Sequence, residues 1–236
     1  MAASKTKRSP AKKKSFQIRT LRESKSKRQE RAREIVGRLH KAYPDADCEL
    51  NYSSPWELLV ATILSAQSTD VRVNKETPAL FARYPTIKAM AESSQEDVEE
   101  LVRRTGFFRN KARAVREAAA AIVENFGGEL PANMDDLLTL RGVARKTANV
   151  VLGTAFGIAS GVTVDTHVNR LSHRLDLSRQ NDPEKIEQDL MSLIPQEDWI
   201  FAGHAVIWHG RRVCDARKPA CNRCTLSDLC PSSTAA

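Results

Sequence analysis

The 236-residue sequence lacks the long apolar segments that mark secreted and membrane proteins. No apolar stretch follows the basic residues near the N-terminus, so nothing predicts a secretory signal. One uncharged run, residues 147–164, approaches the length of a membrane span, but polar side chains dilute it and Phe156-Gly157 is typical of a helix end. We therefore expect a soluble, cytoplasmic protein with no membrane partner.

Two further patterns are missing. No segment alternates convincingly between apolar and polar residues, and no tandem repeat is present, which argues against sheets, solenoids and propellers. Hydrophobic residues make up 41% and charged residues 28% of the chain, a balance that excludes wholesale disorder. We predict an all-α fold.

Helix signals occur along most of the chain. Ser54-Pro55-Trp56-Glu57 combines an N-cap, a proline at the first helical position and a capping box, and an apolar run follows. Residues 109–126 are amphipathic and end at Gly127-Gly128. Further helices are predicted over residues 28–42, 69–81, 94–101, 135–140, 145–156, 166–175, 184–194 and 198–209.

Positive charge is concentrated at the N-terminus. The formal net charge is +8, and residues 1–28 contain eleven Lys or Arg against the single acid Glu23. The rest of the chain is therefore slightly acidic, and any basic face on the folded body is a local patch. We predict a disordered basic tail over residues 1–27 that attracts phosphates or other polyanions; a solvated tail without a partner is the alternative.

Cysteine is scarce except near the C-terminus, which argues against a disulfide framework. Four of the five cysteines lie within the last 23 residues and contain one short C-x2-C pair, whereas structural zinc sites commonly use two. Four thiolates on one compact loop suit a [4Fe–4S] cluster, and on spacing alone zinc remains the alternative. The four residues are Cys214, Cys221, Cys224 and Cys230.

The residues around these cysteines are strongly basic. The predicted phosphate-binding patch consists of Arg211, Arg212, Arg217, Lys218 and Arg223. Cys48 is interpreted as a bystander. His204 and His209 are five positions apart on a predicted helix, so they do not share a face and are not interpreted as ligands.

Residues 140–147 place a glycine-containing turn directly before a helix, an arrangement whose free N–H groups bind phosphate. Lys146 lies in the first helical turn, where the helix dipole favours the neutral amine, the nucleophilic form for Schiff-base chemistry at a sugar aldehyde carbon. Asp165 is placed to cap the next helix, and near Lys146 its carboxylate would stabilise positive charge on a sugar or move protons. Taken alone, a lysine in a first helical turn is more often only a solvated side chain, and an aspartate at an N-cap is more often only a cap.

Three segments together carry a family resemblance. Residues 140–152 (LRGVARKTANVVL) followed by residues 164–170 (VDTHVNR) resemble the helix–hairpin–helix and aspartate loop of the endonuclease III family. Residues 64–70 (LSAQSTD), with Asn74-Lys75, resemble the segment with which this family enters DNA. The resemblance extends over about residues 30–230. It implies a bifunctional DNA glycosylase and abasic-site β-lyase that removes oxidised pyrimidines from duplex DNA after base flipping.

The resemblance also implies two helical domains with a DNA-binding cleft between them. A six-helix domain with the helix–hairpin–helix would cover residues 48–158, and a discontinuous iron–sulfur domain would combine residues 28–47 with residues 159–236. The four C-terminal cysteines would bind a [4Fe–4S] cluster. The expected partner is duplex DNA with an oxidised pyrimidine or abasic site, and the expected state is a monomer.

By the same resemblance, Lys146 is the Schiff-base nucleophile and Asp165 the catalytic carboxylate. Gln67 fills the space left by the flipped base. Phe107 lies where a wedging residue is expected, although a core aromatic at a loop fits the sequence equally well. The predicted DNA contacts are Gln67, Phe107, Arg141, Gly142, Ala144, Thr147 and Lys218.

The hairpin departs from the family pattern at two positions. Arg141 replaces a proline, and Ala144 replaces the second glycine. A left-handed backbone at Ala144 would cost about 1 kcal/mol, and its methyl group would stand where a phosphate approaches. Arg141 would compensate through a charge-assisted phosphate contact. We expect altered or weakened DNA affinity with the chemistry intact.

Two other functions remain open at this stage. A monofunctional adenine glycosylase of the same superfamily is one, and Lys146 argues against it because the resemblance associates a hairpin lysine with lyase activity. A non-catalytic or weakly active DNA-binding paralogue is the other, and the joint presence of Lys146 and Asp165 argues against that.

Overall fold

The computed structural model describes residues 17–235, and all regular structure in this part of the chain is helical, as predicted. Three single-turn 3-10 helices accompany the α-helices. The α-helices are α1 (Lys25–Ala42), α2 (Pro55–Leu64), α3 (Asp70–Arg83), α4 (Ile87–Ala91), α5 (Gln95–Val102), α6 (Phe108–Asn125), α7 (Met134–Thr139), α8 (Arg145–Phe156), α9 (Thr166–Arg174), α10 (Pro183–Leu193) and α11 (Trp199–Arg212).

Helices α2 to α8 enclose the first hydrophobic core, with α2 near its centre. All residues of α2 from Leu58 to Leu64 are buried, because the helix packs against α3, α6 and α8. Its predicted start is confirmed: the Ser54 hydroxyl accepts the N–H of Glu57 at 3.2 Å. The Glu57 carboxylate reaches back to the N–H and hydroxyl of Ser53.

The second core combines the first helix of the chain with the last three. Ile35, Val36 and Leu39 of α1 pack with apolar side chains from α9, α10 and α11. The chain therefore contributes to this core before and after it builds the first one. Two helical units result, as predicted, while the boundaries at residues 47/48 and 158/159 stay predictions.

The structure differs from the sequence prediction in three places. Helix α4 was not among the predicted helices. Helix α1 begins at Lys25, and the Leu21 N–H before it donates to the buried carboxylate of Asp176 at 2.7 Å. The predicted tail is therefore shorter, since residues 17–27 contact the folded body; residues 1–16 lie outside the described residues. Within residues 17–235, no helix has the length and apolar character that a membrane span requires.

Candidate active site and DNA interface

Lys146 and Asp165 line the same cavity, between the two cores. Lys146 is the second residue of α8, and Asp165 directly precedes α9. The cavity has a volume of about 90 Å³ and is also bounded by the linker between α1 and α2, the start of α3 and one face of α11. The fold thus brings the two predicted catalytic residues to one site.

Asp165 caps α9, as predicted. Its Oδ1 accepts the backbone N–H groups of His167 and Val168, both at 2.8 Å, which fixes the orientation of the carboxylate. Among the described residues, no group donates a hydrogen bond to Oδ2, so this oxygen is open to a ligand. Burial lowers the pKa of His167, so its imidazole is neutral at pH 7.

The Lys146 side chain is exposed and forms no ion pair or hydrogen bond with any residue in the described range. Its amine is therefore free to reach a bound ligand. Cys48, which the sequence suggested was a bystander, lines the same cavity. Burial raises the pKa of the Cys48 thiol to about 11, so it stays protonated at neutral pH and does not compete as a nucleophile.

In the turn before α8, the residue with a left-handed backbone conformation is Gly142, not Ala144. Gly142 has φ 80°, and a Cβ there would lie 2.9 Å from the Cβ of Ala114. Ala144 has φ −96° and ψ 168°, an extended conformation that any residue adopts. The predicted backbone strain at Ala144 is therefore wrong, because the hairpin needs its glycine two residues earlier.

Helix α8 begins without a side-chain cap. Eight of the eleven described α-helices have a side chain that accepts a first-turn N–H, whereas Ala144, the N-cap of α8, has no such group. The first-turn amides, including that of Thr147, therefore lack side-chain partners. Free amides at the positive end of a helix are suited to a phosphate.

Arg141 is not free, in contrast to its predicted phosphate role. Its Nη1 lies 3.0 Å from Oε2 of Glu117 on α6, and both side chains are about half exposed. An exposed pair of this kind contributes little stability and exchanges readily for another anion. The phosphate contact of Arg141 stays a prediction that requires this pair to open.

Gln67 and Phe107 share an uncommon backbone conformation. Their φ angles are 53° and 48°, and they are two of only three non-glycine residues with positive φ in residues 17–235. Phe107 is 62% exposed, so the interpretation of it as a core aromatic is wrong. Left-handed residues persist where surrounding structure enforces them, often at functional sites.

The four C-terminal cysteines surround one cavity. All four are free thiols, and the apolar side chains of Leu171, Leu175 and Leu226 also line the space. A guanidinium nitrogen of Arg174 donates to the Cys214 sulfur at 3.1 Å. His209 lies beside the Cys224 sulfur, at 3.4 Å, and burial lowers its pKa to about 4.

The four thiols form a donor set for one bound group. They line one cavity, and four cysteine thiolates are the ligands that a [4Fe–4S] cubane requires. The residues present therefore fit that group.

The basic patch near the cysteines is smaller than predicted. Arg211 bonds to Glu49 and lies 2.7 Å from Asp70, so it spans the cleft. Arg212 stacks over the Trp208 ring at 3.7 Å. Lys218 and Arg217 are exposed, and their backbone N–H groups donate to Asp215. Arg223 is also exposed, and its guanidinium donates to the Arg212 carbonyl. These three side chains remain the candidates for phosphate contact on this loop.

Sequence reasoning missed two residues near the site. Trp208 lines the cleft, but a tryptophan on a helix face carries no signal that separates a cleft wall from a core. Glu187 bonds to Arg145, 42 residues before it, and nothing local in the sequence links them.

The chain matches known proteins over most of its length. Residues 60–196 match the HhH-GPD superfamily of base excision DNA repair proteins. The endonuclease III of Synechocystis sp. is 60% identical over 215 residues, which are 91% of this chain and 98% of that protein. The chain belongs to the endonuclease III family. As a member of this family it is a bifunctional DNA glycosylase and abasic-site lyase of base excision repair, as predicted.

Two solved structures of endonuclease III share this fold. One is a non-covalent endonuclease III–DNA complex, with a TM-score of 0.81 and 42% identity over 86% of this chain and 94% of that one. The other is a trapped covalent endonuclease III–DNA intermediate, with a TM-score of 0.82 and 42% identity over 86% and 95% of the two chains. The endonuclease III fold consists of two helical domains with the DNA cleft between them.

Proposed function

We propose that this member of the endonuclease III family removes oxidised pyrimidines from duplex DNA and nicks the resulting abasic strand, with Lys146 as nucleophile and Asp165 as catalytic carboxylate. The observation that carries the proposal is the shared cavity: an unpaired amine and an open carboxylate oxygen lie between the two helical units. Similarity to endonuclease III trapped covalently on DNA supports a covalent route.

The chemistry follows from the nucleophilicity of an amine. With the damaged nucleotide flipped into the cavity, Lys146 Nζ attacks C1′, and the bond between C1′ and the base breaks. Asp165 accepts the proton that Nζ loses and passes it to the ring oxygen, so the ring opens to leave a protonated imine between Nζ and C1′, while the departing base takes up a proton from solvent. Asp165 then accepts a C2′ proton as the bond to the 3′ phosphate oxygen breaks, and hydrolysis of the imine by water releases the lysine.

The surface around the cavity supplies the DNA contacts. The uncapped start of α8, with Gly142, Ala144 and Thr147, would receive a phosphate, and Lys218 would bind another. Phe107 would wedge into the base stack, and Gln67 would occupy the space of the flipped base. Arg141 would exchange Glu117 for a phosphate.

The cysteine loop completes the proposal. Cys214, Cys221, Cys224 and Cys230 would hold a [4Fe–4S] cluster that, when bound, cross-links a loop with few apolar side chains of its own. The boundaries at residues 47/48 and 158/159 would separate the two domains. The protein would act in the cytoplasm as a monomer.

Borohydride trapping on an abasic-site duplex tests the proposal, because borohydride reduces an imine to a stable amine. Wild type should form a covalent adduct, and Lys146→Ala should form none. Lys185→Ala is the matched control, since Lys185 is also an exposed first-turn lysine, on α10. It should trap DNA as wild type does.

Other outcomes identify the remaining candidates. On a duplex that carries an oxidised pyrimidine, base release by wild type without any adduct would support a monofunctional glycosylase. DNA binding without base release or strand cleavage would support a non-catalytic paralogue. An adduct that survives in Lys146→Ala would assign the nucleophile to another amine.

A further inference from the structure

Glu187 is a buried carboxylate between the two helical units. It lies on α10, is 3% exposed, and belongs to neither hydrophobic core. Its Oε2 accepts Nε of Arg145 at 2.6 Å, and its Oε1 accepts Nη2 of Arg145 at 3.2 Å. Oε1 also accepts the amide of Asn149 at 2.7 Å. Both donors belong to the first two turns of α8.

Lys146 lies between these two anchor points in sequence. Arg145 and Asn149 are four residues apart, so they share the helix face that meets α10. Lys146 follows Arg145 by one residue, about 100° around the helix, and lines the cavity instead. The bonds to Glu187 therefore fix both the rotation and the axial position of the turn that presents Lys146.

The same carboxylate contacts the segment that leads to Asp165. Glu187 Oε1 occupies the space beside Gly161 so closely that a Cβ at this position would overlap it. The Ser160 hydroxyl, on the same segment, donates to Asn149 Oδ1 at 2.9 Å. Residues 160 and 161 are thus held against α8 and α10, five and four positions before Asp165.

One buried group therefore touches both elements that carry the site. A bidentate arginine–carboxylate pair has a narrow geometry, and a misplacement of about 1 Å between reacting groups can reduce a rate about 100-fold. Buried ion pairs are weak evidence for stability, so a role in geometry explains this network better.

We propose that Glu187 is a positioning residue that sets the distance and orientation between Lys146 and Asp165 across the cleft. Arg145, Asn149 and Gly161 are the parts of the chain through which it acts. Glu187 does not contact DNA in this role. The inference rests on the proposed function of Lys146 and Asp165.

Single-turnover strand cleavage at an abasic site, measured beside duplex affinity, tests the inference. Glu187→Ala and Gly161→Ala should each slow cleavage about 10- to 100-fold while affinity changes less than about threefold. Asp176→Asn is the matched control, because Asp176 is also a buried carboxylate paired with an arginine, Arg179, but lies away from the cavity. Its rate per folded molecule should equal that of wild type.

A double variant separates positioning from general damage. The methyl group introduced by Gly161→Ala overlaps the Glu187 carboxylate and makes only a tight contact, at 3.0 Å, with the Asn149 amide nitrogen, so this substitution should cost much less in a Glu187→Ala background. Independent, multiplying losses would overturn the inference, as would a Glu187→Ala rate no lower than that of Asp176→Asn. If Glu187→Ala does not fold, the single variants Glu187→Gln and Gly161→Ala still provide the comparison of cleavage rate with affinity against Asp176→Asn.

The Lys146→Ala trapping experiment keeps the two proposals distinguishable. Adduct formation that depends on Lys146 but proceeds at the wild-type rate in the Glu187 variants would overturn the positioning role alone. Adduct formation in Lys146→Ala would overturn the proposed function itself.

Discussion

At the scale of single residues, Asp165 uses its two oxygens differently. Oδ1 caps α9, whereas Oδ2 is open. Asparagine keeps a capping oxygen but removes the charge, and alanine removes both. We expect Asp165→Asn to lose most cleavage activity while the free energy of unfolding changes by less than about 0.5 kcal/mol. Asp165→Ala should lose the same activity and, in addition, about 1 kcal/mol of the free energy of unfolding, because it also lacks the capping oxygen.

Urea unfolding and single-turnover cleavage measure the two effects separately. Asp182 is the matched control, since its Oδ1 caps α10 through the same two contacts, to the N–H groups of Glu184 and Lys185. Asp182→Asn should change neither property. Full activity in Asp165→Asn would show that the charge has no catalytic role.

At Ala144, stability and DNA binding oppose each other. A capping side chain would satisfy the same amides that a phosphate needs. We expect Ala144→Ser to stabilise the free protein by about 1 kcal/mol and to weaken duplex binding, and Ala144→Asp to weaken binding further because its charge repels phosphate. Thermal unfolding and fluorescence anisotropy with an abasic duplex provide the measurements.

Ala144→Gly is the control for this pair. Ala144 is already extended, so glycine relieves no strain; it adds no capping oxygen and removes only the methyl group, so affinity should not fall. A serine or aspartate variant that binds DNA as tightly as wild type would show that phosphate does not use these amides.

The sequence predicted residues whose signals are local and missed those whose partners are distant. The cap at Asp165 and the first-turn position of Lys146 are visible within a few residues. The pairing of Arg211 with Asp70 joins positions far apart in the chain, so the composition of the cysteine loop overstated the basic patch. Gly142 is required partly because a Cβ at this position would be too close to Ala114, and these two residues become neighbours only in the folded protein.

At the scale of elements, a buried lysine on α6 donates a hydrogen bond to the loop between α5 and α6. Lys111 is 5% exposed, and its Nζ donates to the Thr105 carbonyl at 2.7 Å. The next two residues, Gly106 and Phe107, both have positive φ. The buried amine therefore anchors the loop that presents Phe107, and burial lowers its pKa to about 8.

The lowered pKa of Lys111 makes stability depend on pH. Below pH 8 both states carry the proton, and folding buries an ammonium. Between pH 8 and about 10.5 the folded protein releases this proton while the unfolded chain retains it, so the free energy of unfolding rises.

Lys111→Met isolates this effect from other titrating groups. Wild type should gain up to about 3 kcal/mol relative to Lys111→Met between pH 7 and pH 10.5, by urea unfolding at each pH. A difference that stays constant with pH would contradict the lowered pKa.

Most helices were predictable because their caps and apolar spacing are local features. Helix α4 was not, since its five residues complete little more than one turn and leave no periodic pattern. Its start is capped by Thr86, whose hydroxyl accepts the N–H of Ala89 at 3.0 Å. A single cap without a following apolar pattern is indistinguishable from a turn.

At the scale of the whole molecule, the two cores could not be predicted from helix patterns. The packing of α1 against α9, α10 and α11 joins segments that are far apart in the chain, and only the family resemblance predicted it. The cleft results from this packing, because α8 extends from the first core to Glu187. The site therefore depends on tertiary contacts that amphipathic spacing does not encode.

Charge is distributed unevenly over the same molecule, and this has a measurable consequence. Residues 1–16 contain six Lys or Arg and no acid, a large part of the net charge of +8. Each cation that neutralises a phosphate contributes about 0.9 to the slope of log affinity against log salt. Deletion of residues 1–16 should therefore reduce that slope by up to about 5, and replacement of the six cations by glutamine should do the same.

The cleavage rate at saturating DNA should not change in either variant, because the site lies within residues 17–235. Anisotropy titrations across a salt series measure the slope, and single-turnover cleavage measures the rate. An unchanged slope would establish the solvated tail without a DNA partner. Binding would then depend on the folded body alone, where the free amides of α8, Arg141 and the exposed Arg217, Lys218 and Arg223 are the candidate phosphate contacts.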